Sequence, residues 1–287
     1  MTAGNKPFIV MSAPNGARRG KADHAGIPLT PAELAENAQA ILDCGASILH
    51  LHVRDESGAH TLDPDRYRAA IDAVRDQVGD RLVIQVTTEA VGVYSPSEQM
   101  AVVKSLEPEA VSIALREFVP DRDNTDEADD FFGWLKDSSV SPQYILYSPE
   151  DVRWFEDLRG RGVFHDELPF VLFVIGRYGT TDYGDPAEVQ EYRQALGDED
   201  IPWAVCCFGP LEDEASLMAA STGGHARVGF ENNMLMPDGS EAPDNAALVA
   251  LAADHARTAG RPLRPHSLKP ANTSSPPRST CSTTAAP

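Results

Sequence analysis

The chain has 287 residues, 42% hydrophobic and 24% charged, a size and balance that suit one eight-strand α/β barrel of about 250 residues without a second domain. Twenty-four basic against 44 acidic residues give a net charge of −20, which argues against nucleic acid and anionic membrane surfaces as partners and is read as surface solvation. No window reaches the roughly 20 apolar residues of a membrane span and no basic-then-apolar leader opens the chain, so a cytoplasmic protein is expected.

Eight apolar runs alternate with helical patterns, which is how a parallel sheet with crossover helices reads in sequence, and their number predicts a closed (β/α)8 TIM barrel over residues 1–260. The expected strands are residues 8–13, 47–53, 82–88, 110–115, 144–147, 170–175, 203–208 and 226–231. Thr30-Pro31-Ala32-Glu33 opens the first helix with a hydroxyl cap, proline at the first helical position and glutamate at the third, which together satisfy N–H groups that have no partner inside the helix. Ser95-Pro96-Ser97-Glu98, Ser148-Pro149-Glu150-Asp151 and Asp185-Pro186-Ala187-Glu188 repeat the pattern. The segment Pro14 to Leu29, carrying Arg18, Arg19, Lys21, Asp23 and His24, is long for a loop after a strand and is expected to cover the active site. Residues 261–287, rich in Pro, Ser and Thr, read as a disordered tail. Cys44, Cys206, Cys207 and Cys281 have no C-x-x-C spacing and read as core thiols.

Two histidines two apart on a strand, His50 and His52, project to one face about 6.6 Å apart along the chain. Leu49, Leu51 and Val53 then face the helices, and His50, His52 and Arg54 face the interior at the C-terminal end, where barrel enzymes keep their sites. The same parity on the last strand turns Arg227, Gly229 and Glu231 inward, with Gly229 expected to leave room for a ligand. Two histidines and a glutamate with open positions fit a catalytic zinc and equally a ferrous ion. Alternatively, Glu231 serves as an ion-pair partner of Arg54 or Arg227.

These residues are similar to the β-keto acid cleavage enzyme family. The similarity runs from Ile27-Pro28-Leu29-Thr30-Pro31 through the H-x-H-x-R-D motif of His50 to Asp55 and the R-V-G-x-E motif of Arg227 to Glu231, and on to Asp244-Asn245. The resemblance implies a zinc-dependent barrel, tetrameric as relatives are, that condenses a β-keto acid with acetyl-CoA and cleaves it to acetoacetate and a new acyl-CoA, with no redox cofactor. It implies zinc on His50, His52 and Glu231, Arg227 in an activating dyad, and Thr87 or Thr88 at the substrate carboxylate. The family's dyad aspartate, directly after the metal-binding glutamate, is Asn232 here, and an amide cannot act as a carboxylate base. Glu89, where many relatives have glycine, and Glu117 after the fourth strand are the candidate replacements, so Arg227, Glu89 and Asn232 form the candidate catalytic set.

Arg18 stands where the family type places a glutamate for a substrate amino group. The reversal, with Arg116 assisting, predicts a β-keto acid bearing an acidic or neutral polar side chain. Gly176-Arg177-Tyr178-Gly179 and Phe208-Gly209-Pro210 follow strands six and seven, where glycine-rich turns can hold CoA phosphates. No P-loop and no G-x-G-x-x-G fingerprint is present, which removes support for nucleotide hydrolysis and hydride transfer. Two rivals stand beside this reading. A metal-dependent amidohydrolase would carry its H-x-H pair on the first strand and histidines after the fifth and sixth, where Ser148 and Gly176 stand here. A non-catalytic metal-binding relative that lost its base is the other.

Overall fold

The computed structural model describes residues 6–178, 183–197 and 200–264. Eight parallel strands close into one barrel: β1 (Val10–Ser12), β2 (Ile48–Leu51), β5 (Val83–Thr87), β6 (Ala110–Ala114), β7 (Ser141–Leu146), β8 (Phe170–Ile175), β9 (Trp203–Cys207) and β10 (His225–Val228), with β10 pairing back onto β1. The helices that return the chain are α1 (Pro31–Asp43), α2 (Pro64–Val78), α3 (Pro96–Leu106), α4 (Leu115–Phe118), α5 (Asp126–Asp137), α6 (Pro149–Gly160), α7 (Val189–Leu196), α8 (Glu212–Thr222) and α9 (Asn245–Thr258). No helix among the described residues is long and apolar enough to cross a membrane.

The alternation along each strand builds two separate cores. Leu49, Leu51, Ile84, Val86 and Val111 face outward into the helix layer, while Ile48, Val83, Ala110, Leu172 and Ala204 fill the lower barrel interior. Two residues further along β2, β5 and β6, the inward positions turn polar: His50 follows Ile48, Gln85 follows Val83 and Ser112 follows Ala110, all buried. A side chain period of two thus places an apolar plug beneath a polar mouth. Burying each large plug side chain contributes about 1.5–3 kcal/mol, so the polar layer rests on a floor that resists rearrangement.

Thr30 and Ser95 form the expected capping boxes with Glu33 and Glu98, and Ser148 accepts from the Asp151 amide. The Asp185 box opens a short 3-10 turn (Pro186–Glu188) that leads into α7.

Six strands are shorter than their apolar runs, β8 matches its run, and β7 begins at Ser141, three residues before the expected start. The two differences that bear on the site lie at the mouth. The second run was expected to continue through Val53. Instead the chain leaves the barrel after Leu51, and β3 (Val53–Arg54) pairs antiparallel with β4 (His60–Thr61) as a hairpin on the rim. The eighth run ends at Val228, because Gly229 takes a φ of +131° and breaks the strand. Only glycine adopts that backbone without strain. The barrel also continues past Gly260. Leu263 bridges to Phe8, Arg264 N–H donates to Phe8 O at 2.8 Å, and the buried Arg261 guanidinium donates to the carbonyls of Lys6, Pro7, Ala219, Ala220 and Gly224. The expected tail therefore cannot begin at residue 261. The rest of that expectation, residues 265–287 with Cys281, lies outside the described residues, as does Gly179.

Candidate metal centre and active-site cavity

His50 and His52 reach one point by different routes. His50 is an inward residue of β2, and its strand neighbour in register is Gln85. Its Nδ1 lies 2.9 Å from Gln85 Oε1, and Gln85 Nε2 in turn donates to Gln143 Oε1 at 3.1 Å. That chain of amides assigns the proton to Nδ1 and leaves the Nε2 lone pair pointing at the mouth. His52 sits where the chain turns out of the barrel, and its carbonyl accepts from Asn15 Nδ2 at 3.1 Å, tying the turn to the loop after β1. The two Nε2 atoms are 3.1 Å apart.

Glu231 completes the group, although not through strand parity. The turn at Gly229 carries it inward, and its amide donates to Ala13 O at 3.0 Å. Gly229 does not make room for a central ligand, as parity suggested. A Cβ there would meet Ala13 O at 2.6 Å and Asn245 Oδ1 at 2.9 Å, so glycine is needed for the close approach to β1 and α9. Glu231 Oε2 lies 3.6 Å from His50 Nε2 and 3.4 Å from His52 Nε2, while Oε1 accepts from Arg227 at 3.0 Å.

The donor set fits a cation. One ligand atom from each of His50, His52 and Glu231 lies within 4.8 Å of the others, and all three side chains are buried. Glu231 Oε2 has no hydrogen-bond partner despite its burial. An unpartnered buried carboxylate oxygen facing two imidazole nitrogens is costly unless a positive charge sits between them. Burial lowers the proton affinity of His50 to about 4 and that of His52 well below its usual range, so both rings stay neutral and able to ligate. Burial raises Glu231, but Arg227, His52 and His50 outweigh it and hold the carboxyl well below the usual carboxylate range.

His50 and Glu231 of the triad line a cavity of about 330 Å³ at the barrel mouth that also reaches Arg227, Thr87, Thr88, Glu89, Arg18 and Arg116. Glu89 is pushed up to about 7, first by burial and then by Glu231, with Arg18 opposing. Arg18 Nε is 4.0 Å from Glu89 Oε1, and its own side chain is 59% exposed, a loose pair at the entrance. Arg116 stacks 3.8 Å above the Tyr147 ring. Thr87 Oγ1 accepts from the Glu89 amide at 3.0 Å, whereas Thr88 Oγ1 donates to Ser112 O at 2.8 Å. Glu117 borders the cavity, but its Oε2 accepts from Ala90 N–H and Gln99 Nε2, both at 3.1 Å, so it braces the loop carrying Glu89.

Three expected residues are placed otherwise. Asn232 is fully buried behind Arg227 and does not line the cavity; Arg227 donates to its Oδ1 at 3.4 Å. Arg54, on the rim hairpin, donates to the carbonyls of Gly16 and Arg19 and anchors the covering loop. Gly176, Arg177 and Phe208 border the cavity, but Gly209 does not. A Cβ on Gly209 would meet the Tyr183 ring at 2.2 Å, so that glycine serves packing, not a phosphate.

Several residues were missed in the sequence. Gln85 carried a usable signal, being the one amide in the run Val83-Ile84-Gln85-Val86-Thr87 and of inward parity. Tyr178, whose buried hydroxyl has no partner, borders the cavity from outside any strand pattern. Cys206 accepts from Arg227 at 3.1 Å, and burial pushes its thiol up to about 12.

Comparison with known proteins agrees with this geometry. The sequence model of the beta-keto acid cleavage enzyme family matches residues 7–267. The 3-keto-5-aminohexanoate cleavage enzyme of Fusobacterium nucleatum is 27% identical over 261 residues, covering 89% of this chain and 93% of that protein. The 3-oxoadipate:acetyl-CoA acetyltransferase of Cupriavidus necator is 25% identical over 264 residues, covering 90% and 91%. Among solved structures, the complex of ObcA with oxaloacetate superposes with a TM-score of 0.67 at 15% identity, a likeness of fold. It covers 84% of this chain and 65% of that one, so the chain spans just under two thirds of ObcA's length. With the family match spanning the whole barrel and the metal-type triad at its mouth, the chain belongs to the beta-keto acid cleavage enzyme family.

Proposed function

We propose that the protein is a zinc-dependent enzyme that converts a β-keto acid and acetyl-CoA into acetoacetate and an acyl-CoA carrying the remainder of the keto acid. The observation that carries this reading is the buried His50, His52 and Glu231 group, of which His50 and Glu231 line, beside Arg227, a cavity bordered by hydroxyl, guanidinium and carboxyl groups. Zinc held by those three residues would supply Lewis acidity toward a carbonyl oxygen.

The remaining chemistry falls to the chain's own side chains. Thr87 is the better partner for the substrate carboxylate. Its oxygen accepts from the Glu89 amide, which leaves its O–H free to donate, while the single O–H of Thr88 is spent on Ser112 O. Glu89 is the base, being the cavity carboxyl whose proton affinity, about 7, suits transfer near neutral pH. Arg227 presents a fixed cation to oxygen that gains negative charge. Arg116, and Arg18 at the entrance, favour a substrate with an acidic or neutral polar side chain over a cationic one.

Incubation of zinc-loaded protein with acetyl-CoA and β-keto acids of acidic, neutral and cationic side chain, while following acetoacetate, tests the reaction. Acetoacetate from acidic or neutral substrates is expected. None from any substrate, with the metal bound, overturns the reaction and leaves the metal site standing.

A further inference from the structure

We propose that Glu212 is a positioning residue of this site: with Asn232 it forms a buried carboxyl–amide pair that holds Arg227 in place, and one donor is required between the two side chains. The effect on catalysis rests on the proposed reaction; the pairing itself does not.

Glu212 opens α8, is 3% exposed, and does not border the cavity. A carboxyl so placed is costly unless specific donors meet it. Capping does not explain it, because the residue before the helix is Leu211 and no side chain caps that end. Its Oε1 accepts from the Gly229 amide at 3.1 Å and from Asn232 Nδ2 at 3.3 Å. Asn232 passes the contact onward. Its Nδ2 also donates to Arg227 O at 3.0 Å, and its Oδ1 accepts from Cys206 Sγ at 3.0 Å and from Arg227 at 3.4 Å.

Every hydrogen-bonding valence of the Asn232 amide is therefore used, with acceptors on one side and donors on the other. A flipped amide would face NH2 to guanidinium and oxygen to carboxyl, losing all four bonds. The guanidinium Nη2 of Arg227 donates to Glu231, Cys206 and Asn232, while its Nε is buried without a partner on a residue that borders the cavity. Glu212 and Asn232 thus fix the back of the arginine and leave its front for a ligand. The same geometry forbids a simple exchange at 232. An aspartate there would set two buried carboxyls at hydrogen-bond distance, whereas a glutamine at 212 would restore a donor between them.

The test is a four-member cycle of wild type, Glu212→Gln, Asn232→Asp and the double variant, read by melting temperature and by kcat. Glu212→Gln alone sets an NH2 among donors, including the side chain of Asn233, and is expected to lower the melting temperature by about 3 °C or more and kcat by about tenfold. Asn232→Asp alone is expected to do the same. In the Asn232→Asp background Glu212→Gln is expected to raise both quantities, so its effect changes sign. An effect of the same sign and size in both backgrounds, or none in wild type, overturns the pairing. If Asn232→Asp does not fold, the double variant decides: cooperative melting supports the pair, and failure to fold overturns it. Melting requires no substrate, so the pair is judged even where the proposed reaction fails.

Discussion

Two groups of buried histidine occupy opposite ends of one barrel, and they differ in what faces them. At the base, His225 of β10 accepts a hydrogen bond from Ile9 N–H on Nδ1 at 3.1 Å and lies between the rings of Phe8 and Phe170, at centroid distances of 6.1 and 5.7 Å. Burial, with Arg261 next, lowers its proton affinity to about 3. At the mouth, His50 and His52 are as deeply buried and similarly lowered, but their Nε2 atoms face each other and a carboxylate oxygen without a partner. Burial and a depressed pKa therefore do not distinguish a site from a core. Convergent lone pairs beside an unsatisfied anion do, and the contrast sets the variants that follow.

The largest effect is expected from the mouth. His52→Ala should reduce activity by about 1,000-fold, since Lewis acid stabilisation is worth several kcal/mol and each 1.36 kcal/mol is tenfold. Glu89→Gln should follow at about 100-fold, the usual scale for general base catalysis. With Glu89 at about 7, its ionised fraction grows as pH rises through neutrality, so kcat/KM of the wild type should rise on an inflection near 7 and that of the variant should not. An unchanged profile in Glu89→Gln would assign the proton to another group.

Smaller losses should map the supports. Gln85→Leu removes the acceptor that orients His50 and should weaken metal affinity about 10- to 100-fold in competition with a chelator. Arg18→Glu should shift the preference between acidic and cationic substrates by about twofold to fivefold, the scale of one partly exposed charge. An unchanged ranking would remove Arg18 from the specificity account. At the base, His225→Ala leaves the Ile9 N–H without its acceptor and should cost about 1–3 kcal/mol of stability, seen in melting, with kcat unaffected. In the unfolded chain that ring takes a proton near pH 6.5, while the folded one stays neutral down to about 3. The stability it contributes is thus whole above about 6.5 and is lost as pH falls toward 3, an acid limb that His225→Ala should flatten.

The barrel was legible because its rule is local: a period of two along each apolar run sorted Leu49 and Leu51 from His50, and capped helix starts marked where strands end. The site was legible only where that rule reached it. His50 follows from parity, but His52 and Glu231 sit beyond their strands, on turns set by the rim hairpin and by the positive φ of Gly229. Motif resemblance found them where periodicity gave the wrong reason. Glu212 carried no signal at all, since an acid in the first turn of a helix ordinarily faces water. Its burial depends on the turn of residues 229–233 folding over it, a contact between residues up to 20 apart in sequence that no local pattern encodes.

The central claim is that the mouth histidines, and not the basal one, hold a metal with Glu231. Metal content per chain by mass spectrometry, in wild type, His52→Ala, Glu231→Gln and His225→Ala loaded with zinc and freed of excess, tests it most directly. About one equivalent is expected in wild type and His225→Ala, and less than about a tenth in the other two. Wild type that binds none, or His52→Ala and Glu231→Gln that bind as much as wild type, would contradict it.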